Sequence, residues 1–372
     1  MNKKSIIVSV SNDLSHDQRV AKVCNSLHLQ GYEILLVGRK LKDSPNIQRD
    51  YKTHRIKLMF NRGALFYAEF NIRLFFYLLF KKTDVFHSND LDTLLANWFL
   101  ALFKRKKIVY DTHEYFTGVP EIQNRPIVKW IWTLIEKIIF PKLKTVFTVN
   151  NSIANLYDND YGNRPKVLRN LPTNHQIIKT KNRKDLNLPS NKIVVILQGA
   201  GINVDRGSEE LVEAISNSDN IFLCVVGGGD VIPILKKRIE LDQSLSKKVM
   251  FIDKLPYEEM MQYTLNSNVG VSLDKDTNIN YKFSLPNKIF DYMKAGIPTL
   301  ATDLVEVSNV ISKYEVGLSI KDLEPDTIIS GIEKLSKQQT EGFFANNFSK
   351  ALFDLNWEKE SEVLIESYKK LW

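Results

Sequence analysis

Short apolar runs and helically spaced apolar residues alternate along the first half of the chain. Residues 5–10 form an apolar run of strand length, whereas residues 17–30 place apolar side chains at every third or fourth position, as on one face of a helix. Gly31 follows at the position where helices commonly end. The same rhythm predicts strands at 32–38, 84–87, 107–110 and 145–150, and helices at 91–103, 127–139 and 152–161. Such alternation is typical of a parallel sheet with helices on both faces.

A polar segment precedes a second alternating half. Residues 169–190 contain Pro172, Pro189 and the basic run 179–184, which is typical of a linker or surface segment. The pattern after it predicts strands at 193–198, 221–226, 249–252, 269–273 and 299–302, and helices at 208–216, 233–241, 257–265 and 287–295. Residues 357–372 have the spacing of an amphipathic helix. The pattern therefore predicts an α/β protein with two doubly wound parallel-sheet halves.

Composition fits this division and narrows the partners. The 372 residues suffice for two to three domains at ~150 residues each, and a hydrophobic content of 44% can bury one large or two medium cores. The formal net charge of +8 favours anionic partners, namely nucleotides, phospholipid surfaces or nucleic acid. Cys24 and Cys224 fall in a helix pattern and a strand pattern, so we expect two buried thiols, no disulfide framework and a reducing compartment.

Other patterns count against several protein classes. No stretch reaches the ~18 uninterrupted apolar residues that a membrane span needs, and the run at 5–10 is too short for a signal sequence. The first strand leads to His16 without a glycine, which counts against a nicotinamide-dinucleotide fingerprint. The basic residues are scattered and match no nucleic-acid-binding module, so no nucleic-acid partner is expected.

Candidate chemistry lies at turns and at one helix of the second half. Residues 199–207 join a strand to a helix through glycines and Arg206, which suits an anion, although a plain turn with a solvated arginine fits as well. Glycines 227–229 end the next strand and either permit close approach of a backbone or ligand or form a loose turn. In the helix 287–295, Lys288 and Asp291 share a face and could meet a phosphate and two vicinal hydroxyls. The alternative is a surface ion pair worth about 0.3 kcal/mol.

The sequence Ser-Leu-Pro-Asn-Lys-Ile-Phe-Asp-Tyr-Met-Lys-Ala-Gly-Ile-Pro-Thr-Leu at 284–300 resembles the Pro-x-Lys-x-x-Glu-Tyr-Met-Ala-x-Gly-x-Pro signature of retaining glycosyltransferases of family 4, which have the GT-B fold. Other segments resemble the family in the same order along the chain. They are Asp-Gln-Arg-Val at 17–20, Val-Phe-His-Ser-Asn-Asp-Leu-Asp at 85–92, Tyr-Asp-Thr-His-Glu at 110–114, Val-Leu-Arg-Asn-Leu-Pro at 167–172, the loop 198–207 and Val-Gly-Gly-Gly at 226–229. The resemblance covers nearly the whole chain.

This resemblance implies two Rossmann-like domains that face a cleft. The N-terminal, acceptor-binding domain would span 1–170, a linker 171–190 and the nucleotide-sugar domain 191–356, with the helix 357–372 crossing back to the N-terminal domain. The implied reaction moves a sugar from a UDP- or GDP-sugar to a glycan or lipid-linked glycan with retention of anomeric configuration, in cell-surface polysaccharide synthesis. The nucleotide sugar is then a substrate, and neither a metal nor another cofactor is expected.

The resemblance also assigns donor-binding residues. By position, Asp291 takes the role of the family's ribose-binding glutamate, and Arg206 and Lys288 face the diphosphate and support catalysis. The other donor-binding candidates lie in the same loops: Gly201, Gly228, Lys254, Leu255, Ser284, Leu285 and Asn287. Two positions depart from the family, because Asp291 is one methylene shorter than glutamate and Phe283 stands where a second glutamate usually holds a sugar hydroxyl.

His87, His113 and Glu114 are the catalytic candidates of the N-terminal half. Both histidines are predicted to follow strand ends, with a structural histidine as the alternative for each. Glu114 is expected to orient an acceptor hydroxyl or to cap a helix. Asp90 and Asp92 are interpreted as sheet-end and helix-cap residues rather than as metal ligands.

Two segments, 60–82 and 127–144, combine aromatic and basic residues. The aromatic residues are Phe66, Tyr67, Phe70, Phe75, Phe76, Tyr77, Phe80, Trp130, Trp132 and Phe140. They either lie in a membrane interface or pack the domain core. The leading hypothesis is a cytoplasmic transferase, peripherally bound to an anionic membrane, that extends a lipid-linked glycan. The rivals are a GT-B-fold epimerase or phosphorylase and a catalytically degenerate binding or scaffold subunit.

Overall fold

The structure is a computed structural model that describes residues 3–15 and 17–372. Residues 1, 2 and 16 lie outside the described part. Residue 16 is His16, the last residue of the stretch without glycine that follows the first predicted strand. Contacts divide the chain into two units. Unit 1 comprises Met1–Asn170 and Glu360–Trp372, and unit 2 comprises Leu171–Lys359.

Unit 1 is built on a seven-stranded parallel sheet in the order β3-β2-β1-β4-β5-β6-β7. The strands are β1 (Ser5–Asp13), β2 (Glu33–Lys40), β3 (Lys52–Lys57), β4 (Val85–Asn89), β5 (Lys107–Thr112), β6 (Val146–Thr148) and β7 (Lys166–Val167). The helices are α1 (Gln18–Leu29), α2 (Gly63–Leu79), α3 (Leu91–Phe103), α4 (Pro120–Gln123), α5 (Pro126–Ile139) and α6 (Asn151–Tyr161). The order of the strands reverses where β1 pairs with both β2 and β4.

Unit 2 contains a six-stranded parallel sheet in the order β10-β9-β8-β11-β12-β13. Its strands are β8 (Ile193–Gly199), β9 (Ile221–Gly227), β10 (Val249–Ile252), β11 (Val269–Ser272), β12 (Thr299–Thr302) and β13 (Gly317–Ile320). Its helices are α7 (Ser208–Ser216), α8 (Ile232–Glu240), α9 (Tyr257–Thr264), α10 (Ile279–Lys282), α11 (Asn287–Ala295), α12 (Val305–Tyr314), α13 (Pro325–Thr340) and α14 (Asn347–Asp354). Two Rossmann-like α/β units with parallel sheets confirm the predicted fold class.

The helices form because their apolar spacing matches the sheet that each one covers. In α1, Asp17 accepts a hydrogen bond from the Val20 amide at 3.0 Å, and the predicted face of Val20, Val23, Cys24 and Leu27 is buried. In unit 2, the apolar strands β8 and β9 are covered on both faces, as expected for a central parallel sheet.

The last helix, α15 (Trp357–Lys369), carries the chain back into unit 1. Tyr368 is fully buried there, and Glu360 receives hydrogen bonds from the Arg169 guanidinium, the shorter one at 2.6 Å. The predicted return of the C-terminal helix is therefore confirmed. The predicted linker, 171–190, contains no helix or strand and belongs to unit 2, where Leu186 and Leu188 are buried.

Some elements differ from the predicted pattern. Strand β3 was not predicted, because Lys-Thr-His-Arg-Ile-Lys is mostly polar and lies at the sheet edge with one buried residue. Strand β4 continues to Asn89 instead of ending at residue 87. The elements from α12 to α14 were also not predicted. Among residues 3–15 and 17–372, no helix is both long and apolar enough to cross a membrane.

Candidate active site

The strand order of unit 2 reverses between β8 and β11, and open parallel sheets bind ligands at the carboxyl ends of such strands. The loop 200–207 leaves β8 at this point, and the loop 273–278 leaves β11. Helix α11 begins a few residues later in the chain. The residues that gather at these three elements define the candidate donor site.

Two glycines allow the loops of this site to pack closely. Gly227 has φ 136°, and a Cβ atom there would lie 1.8 Å from the Gly199 carbonyl oxygen. Gly207 has φ 70°, and a Cβ atom there would lie 2.1 Å from the Leu273 carbonyl oxygen. Any larger residue would push the loops apart, because both conflicts are with backbone atoms.

Backbone hydrogen bonds tie the loop after β8 to the glycine run after β9. The Ile202 amide donates to the Gly228 carbonyl at 2.9 Å, and the Gly228 amide donates to the Gly199 carbonyl at 3.1 Å. The Gly228 N–H is therefore engaged within the protein, so Gly228 supports the loop more directly than it could hold a phosphate. Gly201 lies between these bonds and is exposed.

Arg206 is fixed by two neighbours. Its Nη1 donates to Asp274 Oδ2 at 2.9 Å, and its guanidinium lies 4.3 Å from the centre of the Tyr281 ring. The Asp274 side chain is 1% exposed, whereas that of Arg206 is 26% exposed. Asp274 therefore anchors a cation whose outer side still reaches solvent, which is the arrangement that an anion-binding arginine needs.

Lys288 lies in the first turn of α11, near the same carboxylate. Burial lowers the pKa of Lys288, the charge of Asp274 opposes this shift, and the charge of Arg206 adds to it. Ser284 also donates to Asp274 Oδ2, at 3.5 Å. Two cations thus lie around one buried carboxylate at the start of a helix, where the helix dipole adds positive potential. This cluster can hold a diphosphate.

Asp291 lies one turn further along α11 and has different partners. Its Oδ1 accepts from the Tyr257 hydroxyl at 2.7 Å, and its Oδ2 accepts from Gln198 Nε2 at 3.0 Å. Gln198 is fixed in turn, because its Oε1 accepts from Thr264 Oγ1 at 2.6 Å. These two hydrogen bonds hold the Asp291 carboxylate in a fixed orientation on α11.

Helix α11 holds these residues because its other face is anchored in the core. The Tyr292 hydroxyl lies 3.2 Å from the Ile196 carbonyl of β8 and 3.1 Å from the Val271 carbonyl of β11. Gly296 ends the helix in the left-handed conformation, with φ 70°. The predicted helix 287–295 is confirmed residue by residue, and Lys288 and Asp291 point away from the anchored face.

The remaining donor-binding candidates differ in exposure. Leu285 and Leu255 are partly buried and pack against the two apolar clusters of unit 2, so their side chains serve the core. Asn287 and Lys254 are exposed, and Lys254 Cε would lie 3.0 Å from a Cβ atom placed on Gly228. Their roles toward a nucleotide stay predictions.

Unit 1 places His113 at the carboxyl end of β5, as predicted. Its Nδ1 lies 3.1 Å from Asp90 Oδ2 and its Nε2 lies 3.6 Å from Asp111 Oδ2. Burial acts to lower the pKa of His113, but the charges of Asp90 and Asp111 outweigh it and raise that pKa well above its ordinary value. The imidazole is therefore a cation that is held between two carboxylates.

Asp111 is held by a buried arginine from α1. Arg19 Nη2 and Nε lie 2.7 and 3.1 Å from the two oxygens of Asp111, and Nη1 donates to the Leu168 carbonyl at 2.6 Å. Burial acts to raise the pKa of Asp111, but Arg19 and His113 hold it well below its usual range. The two hydrogen bonds from Arg19 fix the Asp111 carboxylate, and Asp111 in turn holds the adjacent His113 ring in place.

The prediction that His87 follows a strand end is wrong. The residue lies inside β4, pairs with Val8 and Val109 of the neighbouring strands, and is fully buried. Its Nδ1 lies 2.6 Å from the Tyr368 hydroxyl of α15, and burial lowers its pKa to about 4. His87 is therefore a neutral structural histidine in the core, which was the alternative to a catalytic role. Because its side chain is fully buried, it cannot contact a substrate.

The structure confirms only part of what was predicted for the acidic residues at the carboxyl edge of the unit 1 sheet. Asp90 Oδ1 accepts from the His113 amide at 2.8 Å, which confirms sheet-end hydrogen bonding, but its side chain makes no helix-cap bond. Asp92 is buried and accepts from Ser11. Glu114 remains accessible to solvent, although the surrounding protein desolvates its carboxyl group, and its role stays a prediction. Within residues 3–15 and 17–372, no group of three or more His, Cys, Asp or Glu could hold a metal ion.

Several residues of the site were not predicted from the sequence. They are Asp274, Tyr281, Gln198, Tyr257 and Arg19. Asp274 and Gln198 stand at the carboxyl ends of β11 and β8, and this position could have marked them as candidate ligand-binding residues. Tyr257 contacts Asp291 from α9 in unit 2, and no local pattern marks it. Arg19 contacts Asp111 from α1 in unit 1; it lies in the segment 17–20 that resembles the family, but its role was not predicted.

Two family models match the chain, each over somewhat less than half of its length. The model described as glycosyl transferases group 1 matches residues 178–351, and the model described as Glycosyltransferase Family 4 matches residues 18–172. The first lies within unit 2 and the second almost entirely within unit 1. With the two parallel sheets, these matches support a glycosyltransferase of the GT-B fold.

Individual relatives are distant. The chain is 21% identical over 246 residues to chitobiosyldiphosphodolichol beta-mannosyltransferase of Candida albicans, with 60% of this chain and 53% of the relative covered. The chain thus spans about half the length of that relative. Sucrose-phosphate synthase of Thermosynechococcus elongatus has a TM-score of 0.79 at 16% identity, with 99% of each chain covered. Anabaena HepE in complex with UDP has a TM-score of 0.71 at 14% identity, with 99% of this chain and 100% of that chain covered.

Proposed function

We propose that this chain is a glycosyltransferase of the GT-B fold that transfers a sugar from a UDP- or GDP-sugar to a glycan or lipid-linked glycan acceptor, with retention of anomeric configuration. Unit 2 binds the donor, and the carboxyl edge of the unit 1 sheet binds the acceptor. The reaction belongs to cell-surface polysaccharide synthesis and takes place on the cytoplasmic side of the membrane.

One observation carries this proposal. Arg206 and Lys288 lie around the buried carboxylate of Asp274, and Asp291 follows Lys288 by three residues on the same helix. A diphosphate and a ribose are adjacent in a nucleotide sugar, so one helix offers a partner to each. The alternatives were a surface ion pair between Lys288 and Asp291 and a plain turn at 199–207. Neither alternative requires a buried carboxylate such as Asp274, which holds this cluster together.

Two relatives support the choice of substrates. HepE was crystallised with UDP, which supports a nucleoside diphosphate as the leaving group. The Candida albicans relative is named for a glycan joined through a diphosphate to dolichol, which supports a lipid-linked acceptor. These ligands belong to those proteins, and their transfer to this chain is part of the proposal.

The proposed step breaks the bond between the anomeric carbon and the phosphate oxygen and forms a bond from that carbon to the acceptor oxygen on the same face. The acceptor proton passes to the leaving phosphate. Arg206, Lys288 and the first amides of α11 stabilise the negative charge that develops on the diphosphate. Because these groups supply the positive charge, the proposed reaction needs no metal ion.

His113 is the proposed acceptor-side group. Both of its ring nitrogens face carboxylates, Asp90 and Asp111, so its cationic ring acts through its positive charge on a developing negative charge, and the pair of Arg19 and Asp111 holds it in place. Glu114 follows it directly in the chain, and burial of its carboxyl group raises its pKa to about 8; it is the proposed partner of an acceptor hydroxyl. His87 has no part in the proposal.

A nucleotide screen tests the donor half of the proposal. Thermal unfolding is measured with UDP, GDP, ADP and CMP, and the matching nucleotide at saturation should stabilise the protein by ~2–4 kcal/mol. The same titration of Arg206→Ala should show a much smaller shift. Arg238→Ala is the control, because Arg238 is an exposed arginine of unit 2 paired with Glu213. Equal shifts with all four nucleotides, or with none, would contradict a nucleotide-sugar site.

A further inference from the structure

Helix α2 has an apolar side that faces solvent as well as one that faces the core. The core side buries Phe66, Phe70, Leu74 and Leu78 at four-residue spacing. On the opposite side, large apolar residues between 57% and 83% exposed follow one another along the helix: Leu65, Ile72, Phe76 and Phe80. A helix that is covered on one side only normally shows polar residues on the other.

Helix α5 repeats this arrangement. Its inward side buries Trp132, Glu136 and Ile139. Its exposed apolar residues recur at three- and four-residue spacing and form one stripe: Ile127, Trp130, Ile131, Leu134 and Ile138. The solvent side of α5 is thus more apolar than its inward side, which contains a carboxylate.

Helix α3 packs against both α2 and α5 and continues their exposed surface. Phe99, Leu102 and Phe103 are exposed near its end. The Lys104 ammonium then donates to the carbonyls of Leu78 and Lys81 at 3.0 and 2.7 Å, which joins the end of α3 to the end of α2. We call the exposed apolar residues of α2, α3 and α5 the helical face.

The charges around the helical face have nearly one sign. The segments 59–82, 99–107 and 125–144 together contain thirteen lysines and arginines but only two acids. Glu69 is engaged by Arg73 and by the amides of Met59 and Phe60, and Glu136 is buried. Basic residues flank the stripes at both ends, including the run 104–107 and the pair 81–82.

We infer that the helical face docks on the surface of an anionic phospholipid bilayer. The apolar stripes enter the boundary between head groups and acyl chains, and the flanking cations contact lipid phosphates. A second copy of the chain fits less well, because it would bring two basic rims together. The inference goes beyond the proposed reaction and does not depend on it, since docking requires neither donor nor acceptor.

The structure also refines which aromatic residues take part. Phe66, Phe70, Trp132 and Phe140 are buried, whereas Phe76, Phe80 and Trp130 are exposed. Phe99 and Phe103 of α3 lie outside the two segments that the sequence marks, but they belong to the same face. Helices that follow parallel strands begin at the carboxyl edge of the sheet, so the starts of α2 and α5 lie toward the edge that bears His113, whereas Phe80, Phe99 and Phe103 lie toward the opposite edge.

Co-sedimentation with vesicles tests the inference. The whole protein is mixed with vesicles of phosphatidylcholine alone or with about 30% phosphatidylglycerol, at 50 mM and 500 mM NaCl. We expect strong binding to the anionic vesicles at low salt, weaker binding at high salt, and little binding to phosphatidylcholine. Equal binding to both vesicle types, or none to either, would overturn the inference.

Matched variants assign the binding to the helical face. Phe80→Ser/Phe103→Ser/Trp130→Ser removes side chains that are 83%, 76% and 64% exposed. Leu241→Ser/Ile178→Ser/Ile234→Ser is the control from unit 2, with exposures of 83%, 73% and 62%. The first set should lose at least tenfold in vesicle affinity, and the control should bind like the wild type.

A second pair of variants tests the charge. Lys82→Glu/Arg105→Glu/Lys142→Glu reverses three exposed cations around the face, and Lys321→Glu/Lys334→Glu/Lys350→Glu reverses three exposed cations of unit 2. The first should weaken binding by on the order of a hundredfold or more at low salt, because each cation near the surface contributes about a factor of five. Equal losses in both sets would overturn the inference.

Sedimentation velocity and circular dichroism complete the test. If the wild type dimerises, and the helical-face variant is monomeric with no change in vesicle binding, then the face is an interface between copies and the inference is wrong. Each variant must have the circular dichroism spectrum of the native protein. If the apolar variant misfolds, the vesicle binding of the charge variant alone tests the inference. Failure of vesicle binding leaves the nucleotide screen unaffected, so the two proposals fail separately.

Discussion

Arg206→Ala is expected to lower stability and donor binding through two different contacts. Arg206 Nη1 lies 2.9 Å from Asp274 Oδ2, and the Asp274 side chain is 1% exposed. The variant leaves this carboxylate without its arginine, and breaking such a buried pair costs ~3 kcal/mol, the lower end of the range, because Arg206 itself is partly exposed. For a unit of this size, each kcal/mol lowers Tm by ~2–4 °C, so we expect a loss of ~6–12 °C.

A double variant separates the contact with Asp274 from the contact with the donor. Arg206→Ala/Asp274→Ala removes both charges, so Tm should recover most of the loss. Nucleotide affinity, measured by titration calorimetry, should stay weak in both variants. Turnover in Arg206→Ala should fall by about a hundredfold or more, as for other preorganised groups that stabilise developing charge. The control Arg238→Ala should keep the wild-type Tm, affinity and turnover.

The outcomes distinguish the two roles. An unchanged Tm in Arg206→Ala would contradict the structural pairing with Asp274. Wild-type affinity and turnover would show that Arg206 does not face the donor, even if Tm falls. Recovery of both Tm and affinity in the double variant would mean that Asp274, rather than the loss of the guanidinium, had blocked the site.

Three further predictions concern the ribose, the metal and the core histidine. Asp291→Asn should weaken nucleotide binding by ~1.5–3 kcal/mol, the range for a hydrogen bond to a charged group. Unchanged affinity in calorimetry would show that Asp291, which accepts from Tyr257 and Gln198, does not bind the ribose. Activity should be full in excess chelator, and loss of activity that magnesium restores would refute the metal-free account. Burial lowers the pKa of His87 in the folded state to about 4, below the unfolded value of 6.5, so the unfolded state takes up the proton first and about 3 kcal/mol of stability is lost progressively as pH falls from 6.5 to 4. The Tm of His87→Gln should therefore fall less than the Tm of the wild type between pH 7 and pH 4.5. His175→Gln is the exposed control and should behave like the wild type. If the Tm of His87→Gln falls as much as that of the wild type, His87 is not the group that takes up the proton on unfolding.

The parts of the fold with strong local signals could be predicted from the sequence. Helix α11 has a proline before its start, a regular apolar face and Gly296 at its end, so its boundaries were predicted without error. Strand β3 has one buried residue and a polar pattern, and its pairing with β2 depends on a sheet edge that no local signal marks. His87 shows the same limit, because only the continuation of β4 and the return of α15 place it in the core.

The donor site was partly predictable for a similar reason. Arg206, Lys288 and Asp291 stand in local motifs, namely a glycine-containing turn and a helix start. Asp274 is an isolated acid after a short strand, and its importance comes from a contact with Arg206 across 68 residues of sequence. Tertiary contacts of this kind are absent from any sequence window, although they determine which cations remain oriented toward a ligand.

Incubation of the wild-type protein with radiolabelled UDP- and GDP-sugars tests the central claim most directly. The account predicts that one donor releases its nucleoside diphosphate and that the sugar is transferred to an added glycan or lipid-linked acceptor, or slowly hydrolysed without one. Lys288→Ala should reduce this release, and Lys334→Ala, an exposed lysine of unit 2, should not. Nucleotide binding without any release would contradict the account in favour of a binding subunit, and a changed sugar still attached to its nucleotide would contradict it in favour of an epimerase.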